Sequence, residues 1–347
     1  MNISIVTYYA ENGNYGALYQ AFALNEYLVG IGHDVSFWGD KFSERKVYTS
    51  EYMEQKAQGM NCVRDLYFNI DYKHNKTYDV TFVGSDQVWG GKEERFWGVG
   101  LKTRVLATYA PSVGNLITSK IKWKAILKGI TGRIAFYCHK KDLIKFHNIS
   151  VRDNQTKALI KMTLNKLPTL VLDPTFLIDW NKYLYDNNGL PVYQIPKEPY
   201  VLIYSYGFGK EAEDNILNYA NKNGLKTCVV NYNSNRFDYS GAYTPFQTLA
   251  LFKNAEMVFT DTFHGTVFSL IFNRQMYVLG KNKVSKPFML LSQFGLTDRC
   301  VRSYNEKELN SCKIVDYNEC NKKIDKLINI SKEYIDECIN MAENNNF

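Results

Sequence analysis

The sequence predicts an α/β protein made of two Rossmann-like halves with parallel sheets, and three observations carry this prediction. First, the chain has 347 residues, which is too long for one ordinary hydrophobic core, so two domains are the default. Second, short apolar stretches typical of buried parallel strands alternate with amphipathic helices in both halves. Third, small polar clusters follow these strands, which places polar groups along one edge of each sheet.

The first half opens with a βαβ unit. Strands are predicted over residues 3–9 and 34–38, with a helix over about 17–29 between them. Gly13 and Gly16 supply only two glycines of the dinucleotide-binding fingerprint, so the pattern is a weak nucleotide motif. It also fits a turn that lets an anion or a sugar approach the backbone. Four further strands are predicted over residues 78–83, 105–109, 149–151 and 169–172.

The two halves are joined by a stretch without periodicity. It contains prolines and the turn Asn187-Asn-Gly189, so residues 179–198 are predicted to be a linker. Residues 1–178 then form the N-terminal domain, and residues 199–316 form the C-terminal domain. Residues 317–347 have apolar positions at helical spacing and are predicted to form a long helix that packs on the body. The two halves would face an interdomain cleft.

The second half repeats the alternation of strands and helices. Strands are predicted over residues 200–205, 227–231 and 276–279, and helices over residues 212–223, 245–254 and 287–294. The stretch Met257–Phe272 begins as a buried strand and takes on helical spacing from Thr266. Between these two parts stand Asp261, Thr262, His264 and Gly265. The free N–H groups of a helix N-terminus suit an anion, but His264 could instead only cap the turn.

Basic residues are concentrated in one region. Residues 120–166 contain twelve Lys or Arg against two Asp, a net charge of +10, whereas the whole chain carries +7. From Lys120 to Lys128, lysines interleave with apolar residues, which is typical of an interfacial helix on anionic lipid. This predicts peripheral contact with an anionic membrane through residues 120–145. The alternatives are the solvated face of a domain helix, or nucleic acid, for which no binding motif accompanies the charge.

The sequence predicts a cytoplasmic protein, and the basic segment would act at the inner face of the membrane. No apolar run approaches the ~20 residues of a membrane helix, and the N-terminus lacks the basic region of a secretory signal. Seven cysteines, with no Cys-x-x-Cys pair and no zinc spacing, predict reduced thiols and no metal site.

Six short segments occur in an order that resembles one known family. They are Asn14–Gln20, Gly84–Trp89, Thr108–Gly114, Ser150–Asp153, Asp173–Thr175 and Thr260–Gly265. Each segment alone is weak, but together they resemble the polysaccharide pyruvyl transferase family, from about residue 3 to Arg299. The resemblance implies a GT-B-like fold. It also implies transfer of pyruvate from phosphoenolpyruvate, as co-substrate and without a further cofactor, to a sugar of a surface-polysaccharide precursor as a ketal.

The resemblance also implies that residues 1–178 lie on the acceptor side and residues 199–316 on the donor side, and it implies roles for individual residues. The donor site would contain Arg152, Lys286, Thr262 and Gly265, with Lys283 as the alternative to Lys286. The catalytic groups would be His264, Asp261 and Asp86. The acceptor would contact Asn14, Tyr15, Gly16, Gln87 and Trp89. Two positions depart from the family pattern: Pro111 stands where a small residue is common, and Thr262 stands where some members carry Arg.

These residue types fit the chemistry of the reaction. Phosphoenolpyruvate carries a phosphate and a carboxylate, so Arg152 is predicted to bind an oxyanion bidentately and Lys286 to act as a point charge. Ketal formation requires protonation of the donor's methylene carbon, attack of a sugar hydroxyl on C2, loss of phosphate and closure by a second hydroxyl. His264 is predicted to be the acid and base, since imidazole suits proton transfer near neutrality.

Structural alternatives stand beside these roles. Arg152 could have no role beyond an ion pair with Asp153, and Asp86 could have no role beyond capping a turn. Lys286 could be a solvated surface residue, and Trp89 could be a core aromatic. At the level of function, the alternatives are a GT-B glycosyltransferase that uses a nucleotide-sugar and a non-catalytic saccharide-binding protein. If the acceptor is lipid-linked, binding of the basic segment to the membrane would bring the protein to its acceptor.

Overall fold

The computed structural model describes residues 1–9, 13–39, 50–90, 93–114, 134, 136–184, 193–280 and 285–344. The chain divides into two compact units. The first unit comprises Met1–Lys46, Val63–Ile178 and Ile324–Phe347, and the second comprises Val47–Cys62 and Asp179–Lys323. The domain limits and the linker predicted from the sequence stay predictions.

The first unit is built on a five-stranded sheet in the order β3-β2-β1-β4-β5, with every pairing parallel. Its strands are β1 (Asn2–Val6), β2 (Asp34–Trp38), β3 (Ile70–Asp71), β4 (Tyr78–Val83) and β5 (Thr103–Thr108). A separate parallel pair consists of β6 (Ser150–Val151) and β7 (Thr169–Leu170). A single bridge between Ala107 and Asn148 connects β5 to the segment before β6.

Several helices lie wholly or partly in the first unit. They are α1 (Tyr15–Gly30), α2 (Glu51–Tyr67), α3 (Lys140–Leu143), α4 (Asn154–Leu164) and the C-terminal α10 (Tyr317–Asn344). Helix α2 begins in the second unit and ends in the first, and so does α10. Helix α1 is buried along most of its length, which matches its largely apolar sequence.

The second unit contains a six-stranded parallel sheet in the order β10-β9-β8-β11-β12-β13. The strands are β8 (Tyr200–Tyr204), β9 (Lys226–Val230), β10 (Tyr239–Ser240), β11 (Met257–Thr260), β12 (Met276–Leu279) and β13 (Cys300–Val301). The helices between them are α5 (Lys210–Lys222), α6 (Pro245–Asn254), α7 (Phe263–Ile271), α8 (Lys286–Phe294) and α9 (Glu306–Asn310). The central strand β8 is wholly buried, as the apolar run Tyr-Val-Leu-Ile-Tyr predicts.

Two local predictions are corrected by the structure. Helix α7 begins at Phe263 rather than at Thr266, because Thr262 acts as its N-cap. His264 therefore lies in the first helical turn and not in the preceding loop. Gly16 lies inside α1, and Gly13, with φ of 71°, is the glycine of the turn. The predicted basic helix from Lys120 falls outside the described residues.

No helix in the described ranges is long and apolar enough to cross a membrane. All seven cysteines lie in described segments and none forms a disulfide. Within those same segments, no group of three or more His, Cys, Asp or Glu is arranged to hold a metal ion.

Candidate active site

The segment after β11 forms a tightly bonded turn into helix α7. The Thr260 hydroxyl donates to the Tyr204 carbonyl at 2.6 Å, and the backbone N–H of Thr262 donates to Thr260 Oγ1 at 3.1 Å. Thr262 Oγ1 then accepts the backbone N–H of Gly265 at 2.9 Å, which is the N-cap bond of the helix. Two threonines thus fix the first turn of α7 to the carboxyl end of the parallel sheet.

Gly265 is required by this packing rather than by an unusual backbone angle. A Cβ at position 265 would lie 2.8 Å from both Thr260 Cβ and Thr262 Oγ1, and closer still to Thr260 Oγ1. Real Cβ atoms do not approach other heavy atoms so closely. The turn therefore accepts only glycine here, and the helix N-terminus sits directly against the strand end.

His264 is half-buried in the first turn of α7, and Asp261 is exposed just before the cap. The imidazole meets the ring of Phe263 edge-on, with 5.2 Å between ring centroids. The N-terminal dipole of α7 favours negative charge at this position. The structure thus brings together Asp261, Thr262, His264 and Gly265 in one turn of the second unit.

Tyr304 supports the same turn, and sequence reasoning did not identify it. Its hydroxyl donates to the Thr260 carbonyl at 2.7 Å and accepts the N–H of Leu279 at 3.2 Å. Burial, together with the nearby charge of Asp261, raises the pKa of Tyr304 well above its usual value. The hydroxyl therefore stays protonated and ties β11 to β12. Its contact spans 44 residues of sequence, so no local pattern indicates it.

Lys286 is the first residue of helix α8 and is half-buried. Ser285 caps this helix by accepting the N–H of Phe288 at 3.3 Å. Lys283, the alternative donor lysine, lies outside the described residues. The donor role of Lys286 stays a prediction.

In the first unit, Arg152 follows β6 and joins two carboxylates. Its side chain donates to Asp173 Oδ2 at 2.6 Å and to Asp86 Oδ1 at 3.2 Å, and it is 3% exposed. Burial alone would lower the pKa of Arg152, but the charges of Asp173 and Asp86 outweigh burial and raise it. The ion pair weighed from the sequence was with Asp153. The structure instead uses Asp153 as the N-cap of α4, where it accepts the N–H of Thr156.

The carboxylates on Arg152 are held by their own local contacts. Asp173 Oδ1 accepts the N–H and the hydroxyl of Thr175 at 3.2 Å and 2.8 Å. Asp86 Oδ1 accepts the N–H of Gln87 at 2.8 Å. Asp173 therefore caps a short helical turn and pairs with Arg152 at the same time. Whether Arg152 also binds the donor stays a prediction.

The backbone around Asp86 adopts conformations that most residues avoid. Asp86 has φ of 66° and Ala110 has φ of 54°. Gly84 has φ of 110°, and a Cβ there would lie 2.5 Å from the Tyr109 carbonyl. Non-glycine residues with positive φ cluster at functional sites, because surrounding structure must hold them there. Asp86 thus stands at a strained loop at the carboxyl end of β4.

The predicted acceptor residues separate into exposed and buried groups. Gln87 is exposed, and Asn14 caps α1 by accepting the N–H of Ala17 at 3.3 Å. Tyr15 is fully buried. Trp89 is 3% exposed and donates its indole N–H to the Phe96 carbonyl at 2.9 Å. The Trp89 ring packs inside the first unit's hydrophobic cluster, as a core aromatic does, and its contact with the acceptor stays a prediction.

Both the sequence and the fold of the chain are similar to those of known proteins. The family model for "Polysaccharide pyruvyl transferase" matches residues 14–282. No curated protein gives a significant match. The chain is similar in structure to the UDP-GlcNAc 2-epimerase of Neisseria meningitidis bound to UDP-GlcNAc, with a TM-score of 0.54 and 11% identity. That similarity covers 97% of this chain and 99% of the epimerase.

A second similar structure is a putative UDP-N-acetylglucosamine 2-epimerase from Listeria monocytogenes, with a TM-score of 0.50 and 10% identity. It covers 94% of this chain and 90% of the other. At such low identity these likenesses concern the fold alone, and they confirm the predicted GT-B-like α/β class with parallel sheets and a C-terminal helix. The family match spans well over half of the sequence and includes the turn at His264. The chain is a member of the polysaccharide pyruvyl transferase family, a family of transferases.

Proposed function

We propose that the protein transfers pyruvate from phosphoenolpyruvate to a sugar hydroxyl pair as a ketal, with His264 as the proton-transfer group. The observation that carries this proposal is the turn after β11. It places an imidazole on the first turn of a capped helix at the carboxyl edge of a parallel sheet, in a member of this family. This edge is where open α/β sheets bind ligands.

The N-terminus of helix α7 would stabilise the negative charge of the bound donor. The N-cap and the missing Cβ at Gly265 keep the start of α7 close to the strand end, where the positive end of the helix dipole is available. Lys286 would add a compact cationic group for the phosphate or the carboxylate. No further cofactor enters the proposal, because phosphoenolpyruvate brings its own leaving group.

The reaction places one proton on carbon and removes two hydroxyl protons. His264 in its protonated form gives its proton to the methylene carbon as the first hydroxyl attacks C2, and that hydroxyl's proton passes to the phosphate group. The bond between C2 and the phosphate oxygen then breaks, hydrogen phosphate leaves, and the second hydroxyl closes the ketal as its proton returns to His264. Asp261, one residue before the N-cap, would orient the imidazole or a hydroxyl.

In the first unit, Asp86 is the candidate acceptor group. The pairing with Arg152 holds the Asp86 carboxylate in place, which suits an acceptor of hydrogen bonds from sugar hydroxyls. Arg152 is therefore proposed to position Asp86. Gln87, the exposed neighbour, and Asn14 would add polar contacts to the sugar.

A second candidate function is supported by one observation. Both similar structures are named as nucleotide-sugar epimerases, and one of them is bound to UDP-GlcNAc. A nucleotide-sugar transferase therefore remains the alternative. A saccharide-binding protein without turnover is the third possibility, and thermal stabilisation by sugar with no product would identify it.

The test is to incubate the protein with phosphoenolpyruvate and a panel of lipid-linked and nitrophenyl sugars, then analyse products by mass. If the sugar gains a pyruvate ketal only when phosphoenolpyruvate is present, the proposal is supported. If the protein instead consumes a nucleotide-sugar, the proposal is refuted. His264→Ala should lower turnover by about 10²–10⁴-fold, as expected for a lost general acid and base. His33→Ala, at a histidine of the first unit that lies beside the N-terminus, is the matched control and should retain turnover.

We also propose that the protein acts in the cytoplasm, where a lipid-linked acceptor would bring it to the inner face of the membrane. The support is the basic segment 120–166 of the sequence. Co-sedimentation with anionic vesicles tests this. Binding that weakens with salt supports the proposal, whereas equal recovery with neutral vesicles contradicts it.

A further inference from the structure

Lys56 is a buried lysine of the second unit, near the middle of helix α2. It is only 2% exposed, and its amine donates to Asn231 Oδ1 at 2.8 Å. The amine also lies 5.6 Å from the centre of the Tyr206 ring, and Tyr206 is 58% exposed. Burial lowers the pKa of Lys56 to about 7. A charged amine is costly to bury, so a lysine at such a place calls for an explanation.

The position of this amine follows from strand register. Asn231 comes directly after β9, Val230 of β9 pairs with Tyr204 of β8, and Tyr204 pairs with Thr260 of β11. Since neighbouring strands lie about 4.8 Å apart, Asn231 is roughly 10 Å across the sheet edge from the Thr260 turn. Lys56 therefore reaches the same carboxyl edge of the sheet as the His264 turn.

Two further donors beside Lys56 lack a hydrogen bond of good geometry. The Tyr204 hydroxyl and the Asn231 side-chain amide are adjacent, at 1% and 6% exposure. The hydroxyl and the Asn231 side chain interact with each other, and beyond that contact neither the hydroxyl nor Asn231 Nδ2 makes a hydrogen bond of good geometry within the described residues. Buried polar groups are nearly always satisfied, and leaving one unmatched costs free energy. An O–H, an N–H and an ammonium at one place match the acceptor oxygens of a small anion.

We propose that Lys56, Asn231 and Tyr204 form an anion-binding subsite that holds one oxyanion of the donor at the carboxyl edge of the second unit's sheet. The ligand chemistry is a carboxylate or a phosphate, and its identity as part of phosphoenolpyruvate rests on the proposed function. The exposed ring of Tyr206 lies beside the Lys56 amine of this subsite.

Anion binding to Lys56 has a consequence for pH dependence. In the free protein the amine is neutral above pH 7, and a bound anion restores its proton by raising its pKa. Burial raises the pKa of Tyr52 and of Tyr204, the phenols beside Asn231, so both stay neutral. Binding therefore takes up a proton above pH 7. Affinity for an anion that is itself fully ionised falls by up to tenfold for each pH unit above 7.

The experiment is calorimetric titration of the whole protein with phosphoenolpyruvate, inorganic phosphate and pyruvate between pH 7 and pH 9. We expect wild-type affinity for the bound anion to fall at least tenfold across this range. Lys56→Met should lose at least tenfold in affinity at pH 7 and should show no pH dependence. Lys210→Gln, at a side chain that is 85% exposed, is the matched control and should behave as wild type. Asn231→Asp, which pairs the amine internally, should also abolish binding while keeping the fold.

The outcomes separate this inference from the proposed function. Phosphoenolpyruvate binding that is unchanged in Lys56→Met overturns the inference and leaves the function standing. If Lys56 binds phosphate or pyruvate but not phosphoenolpyruvate, the anion subsite is supported and phosphoenolpyruvate is rejected as the donor. Absence of any Lys56-dependent anion binding overturns the subsite.

Discussion

Replacing Gly265 by alanine should disrupt the turn that carries His264. The new Cβ would lie 2.8 Å from Thr260 Cβ and from Thr262 Oγ1, and closer still to Thr260 Oγ1. Thr260 cannot simply rotate away, because its hydroxyl is bonded to the Tyr204 carbonyl and to the N–H of Thr262. The clash must therefore move either the strand end or the start of helix α7.

The cost can be assembled from the contacts that would break. Loss of the N-cap bond from Gly265 to Thr262 costs about 1 kcal/mol, and overpacking at the strand end costs about 1–3 kcal/mol. We expect Gly265→Ala to lower the free energy of unfolding by roughly 2–4 kcal/mol. Turnover should fall as well, because a displacement of about 1 Å at a catalytic group can cost 10²-fold.

Urea unfolding followed by circular dichroism measures the stability, and initial rates at saturating donor measure the activity. Gly30→Ala is the matched control. Gly30 ends helix α1 without a positive φ, and a Cβ added there would meet nothing within 4 Å, so this variant should gain about 0.4–1 kcal/mol. If Gly265→Ala is as stable and as active as Gly30→Ala, the packing argument for the turn is refuted.

Three further predictions follow from buried charges. Lys56→Met should raise the free energy of unfolding by up to roughly 5 kcal/mol below pH 7, because the pKa of Lys56 is about 7 in the folded protein and 10.5 in the unfolded chain. The difference in stability between the variant and the wild type should shrink as the pH rises from 7 to 10.5. Urea unfolding at several pH values measures this, and an equal dependence on pH in both proteins would contradict the prediction. Asp173→Asn should lower the free energy of unfolding by about 3–5 kcal/mol, because it breaks the buried ion pair with Arg152. Asp65→Asn, which breaks the exposed ion pair with Arg64, should change it by less than about 1 kcal/mol. Urea unfolding of both variants measures the difference. Arg152→Lys should raise the KM for the acceptor and leave the KM for phosphoenolpyruvate unchanged, because Arg152 is proposed to position Asp86. Initial rates with each substrate varied measure this, and a raised KM for phosphoenolpyruvate would show instead that Arg152 binds the donor.

Local signals predicted the elements well where caps and prolines mark them. Helix α6 begins at Pro245, as predicted, because Thr244 and Gln247 form a capping box and proline suits the first helical position. The start of α7 was placed three residues late, since the pattern of apolar residues begins after the cap. The fold class and the family segments needed only such local information.

The contacts of Arg152 and of Lys56 could not be predicted in the same way. Arg152 meets Asp173 and Asp86 across 21 and 66 residues of sequence, so a neighbour such as Asp153 was the natural choice. Lys56 lies in a polar stretch without a motif, and its bond to Asn231 spans 175 residues. Burial of a charged group depends on tertiary packing, which no sequence spacing encodes.

The most direct test of the central claim is the mass of the acceptor after incubation with phosphoenolpyruvate. The proposed function predicts a gain of one pyruvate less one water, release of one phosphate per ketal, and loss of both in His264→Ala. An acceptor that gains a sugar from a nucleotide-sugar, or that remains unchanged while phosphoenolpyruvate is bound, would contradict the claim.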